Sequence, residues 1–318
     1  MKSFLDPVVL FFILGAVAGI LKSDLRVPVS FYNTLSIYLL LSIGIKGGIE
    51  LSHSNPQNLI TPIIATLLLG VAITIIAKFL LEKTKKFDKK NAINIATHYG
   101  SVSAVTFAVV LSYVREQKIS YEHYMTVLLV MLEIPALITG VLMAKTMEKN
   151  NSNKLVHTIK EVFFGKSILL IVGGLFIGFI TGVTDNKQIN FFFFDLFKGF
   201  LCIFMLEMGI VASERIKDLK KAGPILIAFA IIMPIISATL GIITSMLCGL
   251  SQGGAIVLAT MAASASYIAA PAAMRIAIPD ANPTFSITAA LGITFPFNIL
   301  IGIPIYSKIT LLLYSSFF

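Results

Sequence analysis

Two short stretches carry most of the chemistry this sequence could do in an apolar setting. They are Tyr99-Gly100-Ser101-Val102-Ser103-Ala104-Val105-Thr106 and Ala262-Ala263-Ser264-Ala265-Ser266-Tyr267-Ile268-Ala269-Ala270-Pro271. Each sets two serines at alternate positions beside residues that weaken a helix. Gly100 lets the chain leave helical geometry. Pro271 removes a backbone donor, and its ring clashes with the preceding turn unless it opens a half-helix. If both stretches break, free N–H groups and serine hydroxyls converge on one point. Positive half-helix ends with small donors then hold a small anion without a full buried cation. Small residues also serve close helix packing, so these residues alone leave both roles open.

A carboxylate stands in a third apolar run, Leu132-Glu133-Ile134-Pro135-Ala136-Leu137. Glu133 is a candidate for cation or proton coupling, or an acceptor for backbone freed by Pro135; ionisable groups are costly inside a membrane. Lys46 and Glu207 read as an ion pair or as residues near an interface. His98, beside Gly100, reads as a packing histidine or as a titrating one. Asp280 and Asn282, in Ile278-Pro279-Asp280-Ala281-Asn282-Pro283, read as turn formers. Cys202 and Cys248 lie in apolar runs and are expected to be inert thiols. No Walker loop, dinucleotide fingerprint, HExxH pair or CxxC is present. No catalytic site or cofactor is therefore expected, and transport would be driven by an ion gradient.

The elements that position these residues follow from composition. Of 318 residues, 57% are apolar and 13% charged, with mean hydropathy +0.90. Soluble domains carry about twice that charge, so the chain is read as an all-α integral membrane protein. Low-charge windows fall at about 8–22, 31–51, 60–81, 92–114, 124–147, 167–183, 191–213, 223–248, 253–276 and 286–313, which predicts ten transmembrane helices. The first window resembles a signal peptide, but a matching segment recurs at 167–183, so it is read as a span. Eighteen of the 25 lysines and arginines fall nearest the loops of one face. Those loops are assigned to the cytoplasm and both termini to the outside of the plasma (inner) membrane. The net charge of +9 is thereby loop charge, and no nucleic-acid partner is expected.

The halves of the chain match at a nearly constant offset. Gly15 and Gly19 pair with Gly174 and Gly178, Gly44 with Gly209, Ser101 and Ser103 with Ser264 and Ser266, and Pro135 with Pro296. Five spans per half is an odd number, so the second half enters from the opposite face. This predicts a 5+5 inverted-topology repeat with two interrupted core helices: residues 1–148, a cytoplasmic linker at 149–166, and residues 167–318. Such an architecture suits a carrier, because two similar packings give outward- and inward-facing states of comparable energy.

Four motifs together resemble the cyanobacterial-type sodium-dependent bicarbonate transporter family. They are Gly100-Ser101-Val102-Ser103, Lys118-Ile119-Ser120-Tyr121-Glu122, Glu133-Ile134-Pro135-Ala136-Leu137, and the run from Arg275 through Pro279-Asp280-Ala281-Asn282-Pro283. The resemblance implies a gate domain (helices 1, 2, 6 and 7), a core domain (helices 3–5 and 8–10), and a homotrimer. It also implies sodium-coupled bicarbonate uptake by elevator-like movement, and a PII-like regulatory protein on the cytoplasmic face. Position by position, it places substrate binding at Gly100, Ser101, Val102, Ser103, Thr106, Ser264, Ala265, Ser266 and Tyr267, with sodium near Ser103, Ser264 and Ser266. Tyr267 occupies the family's aspartate position, and a neutral tyrosine does not replace a carboxylate ligand. That departure leaves a transport-incompetent sensor or a carrier of another small carboxylate as alternatives.

Overall fold

The computed structural model describes residues 6–52, 54, 59–147, 159–160, 162–182, 187–216 and 219–317; the linker expected at 149–166 lies largely outside them. Every regular element among the described residues is helical. In chain order they are α1 (Pro7–Ile20), α2 (Val29–Ser52), α3 (Ile60–Lys83), α4 (Lys89–Gly100), α5 (Ala104–Glu116), α6 (Met125–Lys145) and α7 (Lys166–Thr181). A turn at Lys187–Asn190 and a π turn at Phe191–Asp195 lead into α8 (Phe197–Ile216). Then come α9 (Leu219–Leu247), α10 (Gln252–Ala262) and α11 (Ala269–Ala277). The final run, α12 (Pro283–Ser316), alternates α geometry with π segments at Thr288–Thr294 and Asn298–Gly302.

Polar residues set the helix starts. Asp6 accepts from Val8 N (3.0 Å) with Pro7 in the first turn, and Asp88 accepts from Asn91 N (2.8 Å). Ser251 does the same for Gly254 N (3.2 Å), and Asn282 for Thr284 N (2.9 Å) ahead of Pro283. Each satisfies an N–H that a helix start leaves without a partner. The turn-forming role expected of Asn282 is therefore a helix cap, and Asp280 pairs with Lys90 (2.6 Å).

Among the described residues seven helical runs are long and apolar enough to cross a membrane: α2, α3, α4 with α5, α6, Phe191–Arg215, Gly223–Leu247 and α12. The expected first, sixth and ninth spans are the shorter ones. Helices α1, α7 and α10 have 14, 16 and 11 residues. At 1.5 Å per residue these fall short of a bilayer core of about 30 Å. For α10 the reason is the interruption at 263–268, which separates it from α11.

The most extensive helix pairs are α2 with α7 and α1 with α8. Both crossings are made by glycine. A side chain on Gly15 would strike the Leu206 carbonyl, and one on Gly209 the Phe12 carbonyl; Gly44 and Gly174 face each other in the same way. Apolar helices in lipid gain from such close backbone approach, since burial alone does not drive them together. Among the remaining helices α3 packs on α4 and α6, and α9 on α10.

Candidate functional site

The two serine-rich stretches do break, and they meet. Helix α4 ends at Gly100, residues 101–103 are extended, and α5 starts at Ala104. Gly100 is required because a Cβ there would run into Thr74, whose hydroxyl is held on the Gly70 carbonyl (2.8 Å). On the other side α10 ends at Ala262 and α11 starts at Ala269, with Pro271 in its first turn. Pro271 thus opens a half-helix, the placement in which proline is tolerated.

Two backbone N–H groups stitch the interruptions together. Ser103 N donates to Ser264 Oγ (2.9 Å), and Ser266 N donates to the His98 carbonyl (2.8 Å). Ser264 Oγ in turn donates to the Met261 carbonyl (2.7 Å), so its proton is committed. Ser103 Oγ accepts from Thr106 N (3.2 Å) and Ser266 Oγ from Ala270 N (3.2 Å). Both therefore cap the start of a half-helix and keep a proton to donate. The Ala263 carbonyl, exposed by the second break, is met by Asn298 Nδ2 (2.8 Å), and Asn298 Oδ1 accepts from Tyr306 (2.8 Å). Asn298 was visible in the sequence as an amide inside an apolar run, a signal worth weighing beside the charged residues.

A small cavity lies at this junction, lined by Val102, Ser103, Ala104, Glu133, Ser167, Ser266, Tyr267 and Ile268. Four of the nine expected binding residues, Val102, Ser103, Ser266 and Tyr267, line it. Gly100, Ser101, Thr106, Ser264 and Ala265 are buried around it and are not part of its wall. Glu133 is 2% exposed and shares the cavity lining with Ser167 at the start of α7. Nothing in the sequence pointed to Ser167, because it is brought in from a different helix pair. The Tyr267 ring packs edge-on against Phe295 (5.8 Å between centroids), which packs on Phe12 of α1 (5.6 Å).

The other polar candidates are placed elsewhere. His98 is buried with Nδ1 on the Asn94 carbonyl (2.8 Å), and its Nε2 has no hydrogen-bond partner. His98 also lines a cavity with Asn94, Arg275 and Ser286. Lys46 and Glu207 do not pair. Lys46 lies with Glu50 and Arg115, while Glu207 meets the Val27 backbone. Cys202 and Cys248 are free thiols. Among the described residues no cluster of three His, Cys, Asp or Glu side chains exists. The junction instead offers two helix N-termini, two hydroxyl donors and one carboxylate around a small volume.

The description of the Na+-dependent bicarbonate transporter superfamily matches residues 7–311 of the chain, nearly its whole length. A search of curated proteins returned no match.

Proposed function

The chain belongs to the Na+-dependent bicarbonate transporter superfamily, and on that premise we propose that it is a secondary active carrier of a small anion, bicarbonate, moved together with a cation. The observation that carries this reading is the junction cavity. Helices α5 and α11 begin at its wall, and each helix start presents roughly half a positive charge. When Glu133 is ionised it balances the pair. A monovalent anion entering that low-dielectric volume then leaves one negative charge uncompensated, which calls for one cation per anion. Sodium held by Glu133 with the oxygens of Ser103 and Ser266, or a proton on Glu133, meets that need. Glu133 thus supplies the carboxylate that Tyr267 lacks.

The finer architecture belongs to the same reading. Crossings of α1 with α8 and of α7 with α2, built on glycines that match between the halves, support an inverted repeat of ten spans. They also support a gate of α1, α2, α7 and α8 beside a core of α3–α6 and α9–α12. Movement of that core past the gate would carry the cavity between faces. A homotrimer, outward-facing termini, a plasma-membrane location and a PII-like partner come from the resemblance, and no organic cofactor is required.

The test is uptake of labelled bicarbonate into proteoliposomes under imposed sodium and pH gradients. Wild-type protein is expected to accumulate label with sodium or acid outside. Glu133→Gln, which keeps shape but not charge, is expected to lose that dependence. No uptake above empty vesicles under any gradient would favour the sensor reading suggested by Tyr267. Unchanged dependence in Glu133→Gln would remove Glu133 from the coupling.

A further inference from the structure

A second cavity opens at the ends of α2 and α5 and the start of α6. This is the end of the α4–α5 run opposite Lys89 and the lysine-rich segment 83–90. Its walls include Ser42, Lys46 and Glu50 of α2, Arg115 of α5, Thr126 of α6, and Phe193, Phe194 and Phe197. Arg115 is fixed by Tyr121, whose hydroxyl accepts from Nε (2.9 Å) and Nη2 (2.6 Å). Burial holds the Tyr121 hydroxyl above its ordinary value, so it accepts as a neutral group and leaves the guanidinium charge in place. Lys46 Nζ lies 5.9 Å from the centre of the Phe194 ring. Ser42 Oγ is buried without a partner, since the neighbouring Tyr38 hydroxyl is given to the Phe192 carbonyl (2.5 Å). Lys46 and Arg115 against Glu50 leave one net positive charge in a partly enclosed space, a balance that one monovalent anion closes.

The cavity is also continuous in its lining with the junction. Ile43 is shared with a small, mostly apolar gap bounded by Ser36, Leu39, Leu40, Val105, Ala108 and Phe204. Ala104 and Ile268 are shared between that gap and the junction cavity. Ile43, Ala104 and Ile268 thus stand between the charged mouth and the serine-lined end. We propose that the Lys46–Arg115 cavity is a capture site for a small monovalent anion, separate from the junction and occupied before it. Its role as an entrance rests on the transport reading; its occupancy does not.

The two are separated by reading occupancy without transport. The chain has no tryptophan, so Phe194→Trp in the full-length protein gives one indole at the mouth. Potassium iodide is titrated at constant ionic strength against potassium gluconate, without sodium. Saturable quenching, displaced by bicarbonate, is expected, with apparent affinity at least tenfold weaker when Lys46→Gln is added. Lys46→Arg is expected to restore it, which separates loss of charge from loss of folding, and Glu50→Gln to match or tighten it. Quenching that rises linearly with iodide, or that Lys46→Gln leaves unaltered, overturns the capture site. Weaker binding in Glu50→Gln overturns it as well. Saturable quenching in a protein that takes up no bicarbonate would leave this site standing and remove the transport reading.

Discussion

At the first interruption three residues, 101–103, carry the chain from α4 to α5; at the second, six residues, 263–268, separate α10 from α11. The first is buried throughout, and α5 is capped by Ser103, the residue directly before it. The second is buried only as far as Ser266; Tyr267 and Ile268 are half-buried. Helix α11 has no side-chain cap at Ile268 and is served from further back by Ser266. Ile268 also borders the apolar gap toward α2 and α8, and Tyr267 reaches Phe295 and through it α1. By the offset that pairs the serines, the small Ala104 stands where the second half has Tyr267. Both half-sites border the gap toward α2 and α8, and the second also reaches α1 through Tyr267 and Phe295.

The comparison is most strongly challenged by Tyr267→Asp. An unpaired carboxylate at that depth is expected to cost about 3–5 kcal/mol. A sodium site formed there recovers about 2.7 kcal/mol once sodium reaches a hundredfold excess over its dissociation constant. Melting of the variant in detergent should therefore rise more, on replacing potassium by sodium, than melting of the parent. An equal response in both proteins would show that Tyr267 does not stand at a cation position.

A smaller effect is expected from Ser264→Ala, which removes the acceptor of the buried Ser103 N–H. Leaving that donor unsatisfied costs about 1–3 kcal/mol, read as a lower melting temperature. If Ser264→Ala melts like the parent, the bond between the two interruptions does not hold them together. Smaller still are Ser103→Ala and Ser266→Ala, each losing a helix cap worth about 1 kcal/mol. Each also loses a hydroxyl donor, which should weaken anion binding by about fivefold, measured by titration calorimetry. The least change in stability belongs to Ser101→Ala, because Ser101 Oγ has no protein partner; it should stay within about 0.5 kcal/mol of the parent. Equal loss of binding in Ser101→Ala and Ser103→Ala would undo the distinction between wall residues and those behind the wall.

Much of this molecule is written locally in its sequence. Apolar runs demand helices because lipid offers no partners to free backbone groups, and the ends of those helices carry their own caps at Asp6, Asp88, Ser251 and Asn282. Gly100 and Pro271 mark where two helices stop, and paired serines at one offset announce that the stops are related. Tertiary packing alone decided which groups share a cavity. It set Glu133 of α6 and Ser167 of α7 beside Ser103 and Ser266, and left Ser101, the equal of Ser103 in the sequence, outside the wall. It also put Lys46 with Arg115 rather than with Glu207. The reason is geometric: one residue turns a helical side chain by about 100°, and only the crossing of neighbouring helices determines what that direction meets.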